Sequence, residues 1–366
     1  MRFLISIINR ISFKSCKKSK IVVYDKNYNR ILDNLIDEDF IVFNIHESRL
    51  NIFLFTKSIF VYLFSKPENV SFYEIYFKKY LQTINPDVVI SFEDTNTGLL
   101  RLSRYFKNIK FILIQNSYRP PGFYGKKTLK KDDVLITYSP LVKFNISSNE
   151  VAMKSFKYFQ GDNSRSDSLE NKVILISQYR QLSDYEFVQS TKKYYSEVFD
   201  NRIFHNKPKY YFFQDAFLSF LSDYFNKNEK DIFYKSASRE QTTFLKKDET
   251  LYFKKFNINE LKVSSEDIFS SKSNEIYICF ESTMIFELIS NNKKVLLYPH
   301  RKIFKHTTIN PHIEIFAKKY PELVVQSNFT DFEKKFNNLC KITDEQYYLK
   351  YREFNSLQNF NLNKFL

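Results

Sequence analysis

Short unbroken apolar runs recur along this chain, separated by segments long enough for a helix. KIVVY (20–24), FIVFNI (40–45), DVVISF (87–92), KFILIQ (110–115) and VLITY (134–138) form a first series. KVILIS (172–177), EIYICF (275–280) and KVLLYP (294–299) form a second. A run that is apolar at every position suits a strand covered on both faces, which is the habit of parallel sheets. Between the runs the period changes. Phe72, Ile75, Tyr76, Tyr80 and Ile84 recur at three- and four-residue steps, which predicts a helix over 71–84 that Pro86 and Asp87 end. Residues 97–107 and 283–291 read the same way. Strand, helix, strand at this spacing predicts right-handed βαβ units in doubly wound sheets.

A chain of 366 residues is long for one core and comfortable for two. The polar stretch GDNSRSDSLEN (161–171) holds no aromatic residue, unlike its surroundings, and is the expected linker. The reading is therefore a first domain over 1–160, a second over 172–340, and a C-terminal helical segment over 341–366 that crosses back to the first. In the second domain, 184–225 reads as mostly helical. DIFYKSA (231–237) and TLYFKKF (250–256) read as strands, and 328–340 and 343–360 as polar helices. Two doubly wound, Rossmann-like domains facing a cleft would bind ligands beyond the carboxyl ends of their strands.

The net charge is +15, from 56 Lys and Arg against 41 Asp and Glu. Such a surface attracts phosphorylated small molecules, acidic lipid headgroups or nucleic acid. The positive charge is spread along the chain, and no helix-turn-helix, zinc-finger, RRM or KH pattern is present, so nucleic acid is not the expected partner. A solvated basic surface is the plainer explanation. Cys16, Cys279 and Cys340 are far apart, and the five histidines (His46, His205, His300, His306, His312) form no zinc spacing with them. Few unpaired cysteines fit a reducing cytoplasm. The N-terminus, interrupted by Arg10, makes a poor signal peptide. LNIFLFTKSIFVYLF (50–64) is the most apolar run; it is shorter than the roughly 20 residues of a membrane span and carries Lys57 in its middle. It reads as a buried or membrane-surface helix.

The segment FESTMIFELISNNKKVLLYP (280–299) is the most informative. A buried strand ends at Phe280, and Ser282 and Thr283 stand where a helix begins. Helix N-termini receive phosphate, and Glu287, on the first turns, can accept both hydroxyls of a ribose. The plainer alternative makes Ser282 an N-cap and Glu287 a solvated helix residue. Asn291 and Asn292 stand where glycine usually ends a helix, and Asn tolerates the left-handed conformation.

This segment resembles the nucleotide-binding turn of GT-B glycosyltransferases. The likeness is greatest to the form in bacterial surface-carbohydrate and capsule biosynthesis, a pattern like S-T-L-x-x-E-x-x-x-x-G-K-K-V. Ser282, Thr283, Glu287, Lys293, Lys294 and Val295 match it; Glu281 and Asn292 depart from it, standing where Asp and Gly are usual. VVISFEDTN (88–96), FILIQNSYR (111–119) and KVILISQYR (172–180) are similar to further elements of the same group, in the same order. The resemblance implies a GT-B-like fold, an N-terminal acceptor domain and a C-terminal nucleotide-sugar domain. Ser282 and Thr283 would hold the donor phosphates and Glu287 the ribose. The nucleotide-sugar would be the donor substrate, with no bound cofactor. The acceptor would be a saccharide or a lipid-linked sugar reached at the inner face of the plasma membrane, with a peripheral contact to anionic lipid.

Residues after the other strands complete the candidate set. Glu93 and Asp94 are candidates for the base that takes a proton from the attacking hydroxyl, or they cap the helix beginning near Thr97; Asn96, in the same turn, is an acceptor-binding candidate. Gln115, Asn116 and Arg119 could bind acceptor hydroxyls or an acidic sugar, or organise the loop through Pro120 and Pro121. Arg180 could neutralise the leaving diphosphate, or form a surface ion pair; Arg239 follows another strand and could border the donor. Arg49 and His300 follow further strands; the histidine could be an acid/base residue, a phosphate ligand or structural. Walker A, GxGxxG and GxSxG patterns are absent, and no DxD pair supports a metal site. Three other functions remain open: a nucleotide-sugar 2-epimerase, a non-catalytic scaffold subunit of polysaccharide synthesis, and a nucleic-acid binder.

Overall fold

The computed structural model describes residues 11–13, 15–24, 35–43, 50–65, 70–94, 96–116, 119, 122–125, 128–155, 169, 171–177, 209–236, 243–263, 268–269, 274–280, 282–299, 311–326 and 328–366. The chain divides into two compact units, Met1–Met153 with Gln358–Leu366, and Lys154–Leu357. The division falls ahead of the polar stretch at 161–171, of which only Leu169 and Asn171 are described.

The first unit contains β1 (Ile11–Ser12), β2 (Ile21–Tyr24), β3 (Phe40–Val42), β4 (Leu50–Asn51), α1 (Ile52–Ser65) and α2 (Phe72–Ile84). It continues through β5 (Val88–Ser91), α3 (Thr97–Tyr105), β6 (Lys110–Ile114), β7 (Val134–Thr137) and β8 (Asn149–Ala152). Six strands form one sheet in the order β3-β2-β5-β6-β7-β8, and every pairing is parallel. Its central strands are the apolar runs, and Val22, Val23, Val89, Ile90, Phe111, Ile112, Leu135 and Ile136 have no solvent exposure. Local signals set the helix ends. The Ser71 side chain accepts the Glu74 N–H at the start of α2, and Asn85, left-handed at φ 51°, ends it. The chain's last residues belong here: Met153 bridges Gln358, and Lys110 Nζ donates to the Phe365 carbonyl at 2.6 Å.

The second unit runs β9 (Val173–Ile176), α4 (Lys209–Lys227), β10 (Ile232–Lys235), α5 (Thr243–Lys254), β11 (Asn259–Glu260), β12 (Ile276–Cys279), α6 (Met284–Ser290) and β13 (Lys294–Leu297). Helices α7 (Pro311–Lys319), α8 (Phe329–Lys341), α9 (Asp344–Lys350) and α10 (Arg352–Asn355) follow. The sheet order is β11-β10-β9-β12-β13, again all parallel. Tyr298 after β13 stacks on Phe217 of α4 with ring centroids 3.5 Å apart, fastening helix to sheet. Both units are thus doubly wound, Rossmann-like α/β layers.

One expected strand is a helix. TLYFKKF (250–256) lies largely in α5, because Glu249, Tyr252 and Phe253 recur at three- and four-residue steps and all three are buried. The expected helix over 343–360 is instead two short ones, α9 and α10, with Tyr351 between them.

Candidate functional site

In an open parallel sheet, ligands bind where the strand order reverses, beyond the carboxyl ends. In the second unit the chain goes from β9 outward through β10 and β11, then returns to β12 on the other side of β9. The reversal therefore lies between β9 and β12, whose last residues, Ile176 and Cys279, are register partners. Ser177 follows one strand; Phe280, Ser282 and Thr283 follow the other.

The Ser282 hydroxyl accepts the Met284 N–H at 3.3 Å, and the Ser282 carbonyl accepts the Ile285 N–H. Thr283 is the N-cap of α6 but makes no side-chain capping bond. Helix α6 has only seven residues, so its dipole is a small part of any attraction for phosphate, and the hydroxyls would carry more of it than the sequence suggested. Glu287 is 7% exposed, as are its neighbours on α6 or less, which removes the reading of a solvated helix residue. Asn292 is left-handed at φ 58° and Asn291 is not, so Asn292 alone takes the glycine position. Lys293 and Lys294, which match the same motif, serve the opposite end of the sheet. Lys293 Nζ donates to the buried Glu275 Oε1 at 2.6 Å, and Lys294 pairs with Asp344 at 3.1 Å.

A buried carboxylate that sequence reasoning missed sits at the same end as Ser177. Glu249 of α5 has no exposure and accepts hydrogen bonds from Ser177 Oγ and from Ser236 Oγ, the latter at 2.5 Å. It ties the ends of β9 and β10 to α5. The only signals were a serine after each strand, and the misread of 250–256 hid the helix that supplies the partner.

In the first unit the order reverses between β2 and β5, where Tyr24 and Ser91 are register partners. Ser91 Oγ donates to the Tyr24 carbonyl at 3.2 Å and accepts the Glu93 N–H at 3.0 Å. Asn96 caps α3, its Oδ1 accepting the Gly98 N–H at 2.9 Å while its Nδ2 donates to the Tyr24 hydroxyl at 3.1 Å. A Cβ at Gly98 would lie 3.0 Å from Asn96 Oδ1 and from Glu74 Oε2, so any larger residue there would have to push these two side-chain ends back by a few tenths of an ångström.

Asp94 is 1% exposed and gathers the residues expected to bind the acceptor. Arg119 donates from Nε to Oδ2 at 2.6 Å and from Nη2 to Oδ1 at 2.7 Å; Tyr124 OH donates to Oδ2 at 2.8 Å. Arg119 Nη2 also donates to Asn116 Oδ1 at 2.6 Å, and Gln115 Nε2 to Tyr124 OH at 3.3 Å. Burial works against the Arg119 charge, but its hydrogen bonds to Asp94 and that carboxylate's charge outweigh it, holding the guanidinium above its ordinary value. Burial first, then the Asp94 charge, pushes the Tyr124 hydroxyl far up. An aspartate so engaged is an anchor for Arg119; Glu93, half-buried beside it, keeps the candidacy for base. The candidates Arg49, Arg180, Arg239 and His300 lie outside the described residues.

No family model matches the chain, and no curated protein matches it. Solved structures similar over most of its length include the S. aureus MnaA–UDP co-structure (13% identity, 94% of this chain and 92% of that one, TM-score 0.47). The spinosyn rhamnosyltransferase SpnG complexed with thymidine diphosphate is similar at 9% identity over 93% and 97% of the two chains (TM-score 0.45). The Methanocaldococcus jannaschii UDP-GlcNAc 2-epimerase in complex with UDP-GlcNAc and UDP is similar at 11% over 92% and 97% (TM-score 0.44). These are distant likenesses of chain path below a TM-score of 0.5, and they carry no argument about which chemistry this chain performs.

Proposed function

We propose that the protein is a GT-B-type glycosyltransferase. It would move a sugar from a nucleotide-sugar to a saccharide or lipid-linked acceptor in surface-polysaccharide synthesis at the cytoplasmic side. The observation that carries this reading is the place of the Ser282–Thr283–Glu287 turn at the strand-order reversal of a doubly wound sheet. There the two hydroxyls take donor phosphate, Glu287 takes the ribose, and Arg180, Arg239 and His300 border the diphosphate. In the first unit Glu93 takes the proton of the attacking hydroxyl. Asp94 holds Arg119 in place, Gln115 supports Tyr124 from within, and Asn96, Asn116, Arg119 and Arg49 are the residues assigned to the acceptor.

Thermal unfolding of the purified protein with CMP, UDP, GDP and dTDP and their sugars tests the donor site. Glu287→Gln is the control, because it keeps the buried side chain's volume. A rise in midpoint with one nucleotide, absent in the variant, supports the reading and names the base. No rise with any of them, in a folded sample, removes it. Donor turnover without any acceptor would instead identify an epimerase.

A further inference from the structure

Helix α1 carries large apolar side chains on opposite faces, and only one of these faces is covered. Its inner face holds buried Leu54 and Ser58, and Phe55 meets Phe72 of α2 edge-on with centroids 5.4 Å apart. Its outer face leaves Phe53, Phe60, Leu63 and Phe64 exposed at 65%, 62%, 60% and 73%. Phe53, Phe60 and Phe64 follow one another at seven- and four-residue steps and so form one stripe, within which the Phe60 and Phe64 rings sit 4.3 Å apart. Phe13 joins them, 80% exposed. It follows β1, which pairs with β4 (Ser12 with Asn51), and β4 runs directly into α1.

A cluster of exposed aromatic and apolar side chains on one helix face marks an interaction site, unlike scattered single apolar residues. Its charge selects the occupant. Residues 50–65 contain no Asp or Glu, Lys57 stands in the stripe between Phe53 and Phe60, and Lys17 and Lys18 are exposed shortly after Phe13. A second copy would set like charges against each other on a chain of net charge +15. An anionic bilayer answers both features: rings settle at the boundary between headgroups and acyl chains, and lysine stems reach back to the phosphates. Fourteen helical residues span about 21 Å, less than the roughly 30 Å hydrocarbon core. We propose that the outer face of α1, with Phe13, is a monotopic docking surface for an anionic lipid bilayer. The inference stands whether or not the chain transfers sugar.

Flotation of the full chain with vesicles of phosphatidylcholine, with and without phosphatidylglycerol, is the test. The expected result is partition into the anionic vesicles, weakened by salt. In the double variant Phe60→Asp/Phe64→Asp, which alters exposed positions, partition falls at least ~10-fold with the unfolding midpoint unchanged. The chain has no tryptophan, so Phe64→Trp supplies a single reporter whose emission should shift to the blue on binding. Failure of the wild type to float with anionic vesicles overturns the proposal, as does equal flotation of the double variant. A lipid-free dimer that the double variant splits would also overturn it, giving the face to a second copy.

Discussion

The Asp94 carboxylate and the Arg119 guanidinium meet through two hydrogen bonds of 2.6 and 2.7 Å, with the aspartate side chain fully buried and the arginine side chain 15% exposed. A paired carboxylate of this kind orients its partner; it is poorly placed to take a substrate proton. Asp94→Asn should leave the guanidinium uncompensated and cost about 3 kcal/mol of stability, read as a lower urea midpoint. Glu93→Gln should leave that midpoint nearly unchanged while lowering sugar transfer by ~100-fold or more. The reverse pattern, a stable inactive Asp94→Asn and a fully active Glu93→Gln, would transfer the base role to Asp94.

Glu249 makes a comparable prediction in the second unit. It accepts hydrogen bonds from Ser177 and Ser236 from a position without solvent exposure. Glu249→Ala removes the acceptor that both hydroxyls share and should cost about 2–3 kcal/mol. Glu249→Gln, which can accept one bond and donate another, should cost much less. Equal urea midpoints for the two variants would show that the clamp does not hold the strand ends.

The contrast between these carboxylates shows what a sequence can reveal. The strands at Ile21, Val88, Lys110, Val173, Ile276 and Lys294 were legible because burial on both faces leaves an unbroken apolar run. Edge pieces lacked that mark. β8 reads Asn-Glu-Val-Ala, with Asn149 exposed and the other three half-buried, and β1 and β4 are two residues each. Positions after strands were legible as candidates because topology brings them to one end of a sheet. Their partners were not: Tyr124 reaches Asp94 from thirty residues away, and Glu249 reaches Ser177 from seventy-two. Such pairings are set by tertiary packing and leave no local period.

Buried tyrosines set the alkaline limit. Burial is the first cause that raises the hydroxyls of Tyr124, Tyr277, Tyr298, Tyr320, Tyr347 and Tyr351 far above the ordinary value of 10.0, and it pushes Tyr234 up to about 12. The folded chain keeps these protons where the unfolded chain releases them. Their contribution is therefore complete below pH 10 and is lost as pH rises through and beyond 12. Lys154 and Lys293 act in the opposite sense, because burial lowers their values, while Tyr80 and Cys279 add to the side of the buried hydroxyls. Tyrosinate absorbance should show these hydroxyls ionising together with the loss of far-ultraviolet circular dichroism. Gradual ionisation near pH 10 with the fold intact would contradict it.

Asn292 tests the motif and the backbone together. Its φ of 58° lies in the left-handed region, its N–H donates to Asn355 Oδ1 at 3.1 Å, and its own Oδ1 is buried without a partner among the described residues. Asn292→Gly keeps the conformation and the N–H bond, removes the stranded carbonyl oxygen, and installs the residue usual at this place in the motif. It should leave the unfolding midpoint equal or higher, the gain from removing a buried unmet acceptor offsetting the added freedom of the unfolded chain. Asn292→Ala also removes that oxygen but meets the steric penalty of a Cβ in the left-handed region, about 1 kcal/mol. Glycine should therefore exceed alanine in thermal unfolding, with nucleotide binding unchanged in both, since Asn292 follows α6 and lies away from the Ser282 turn in sequence. If alanine proved the more stable, backbone strain could not be what selects the residue at this position.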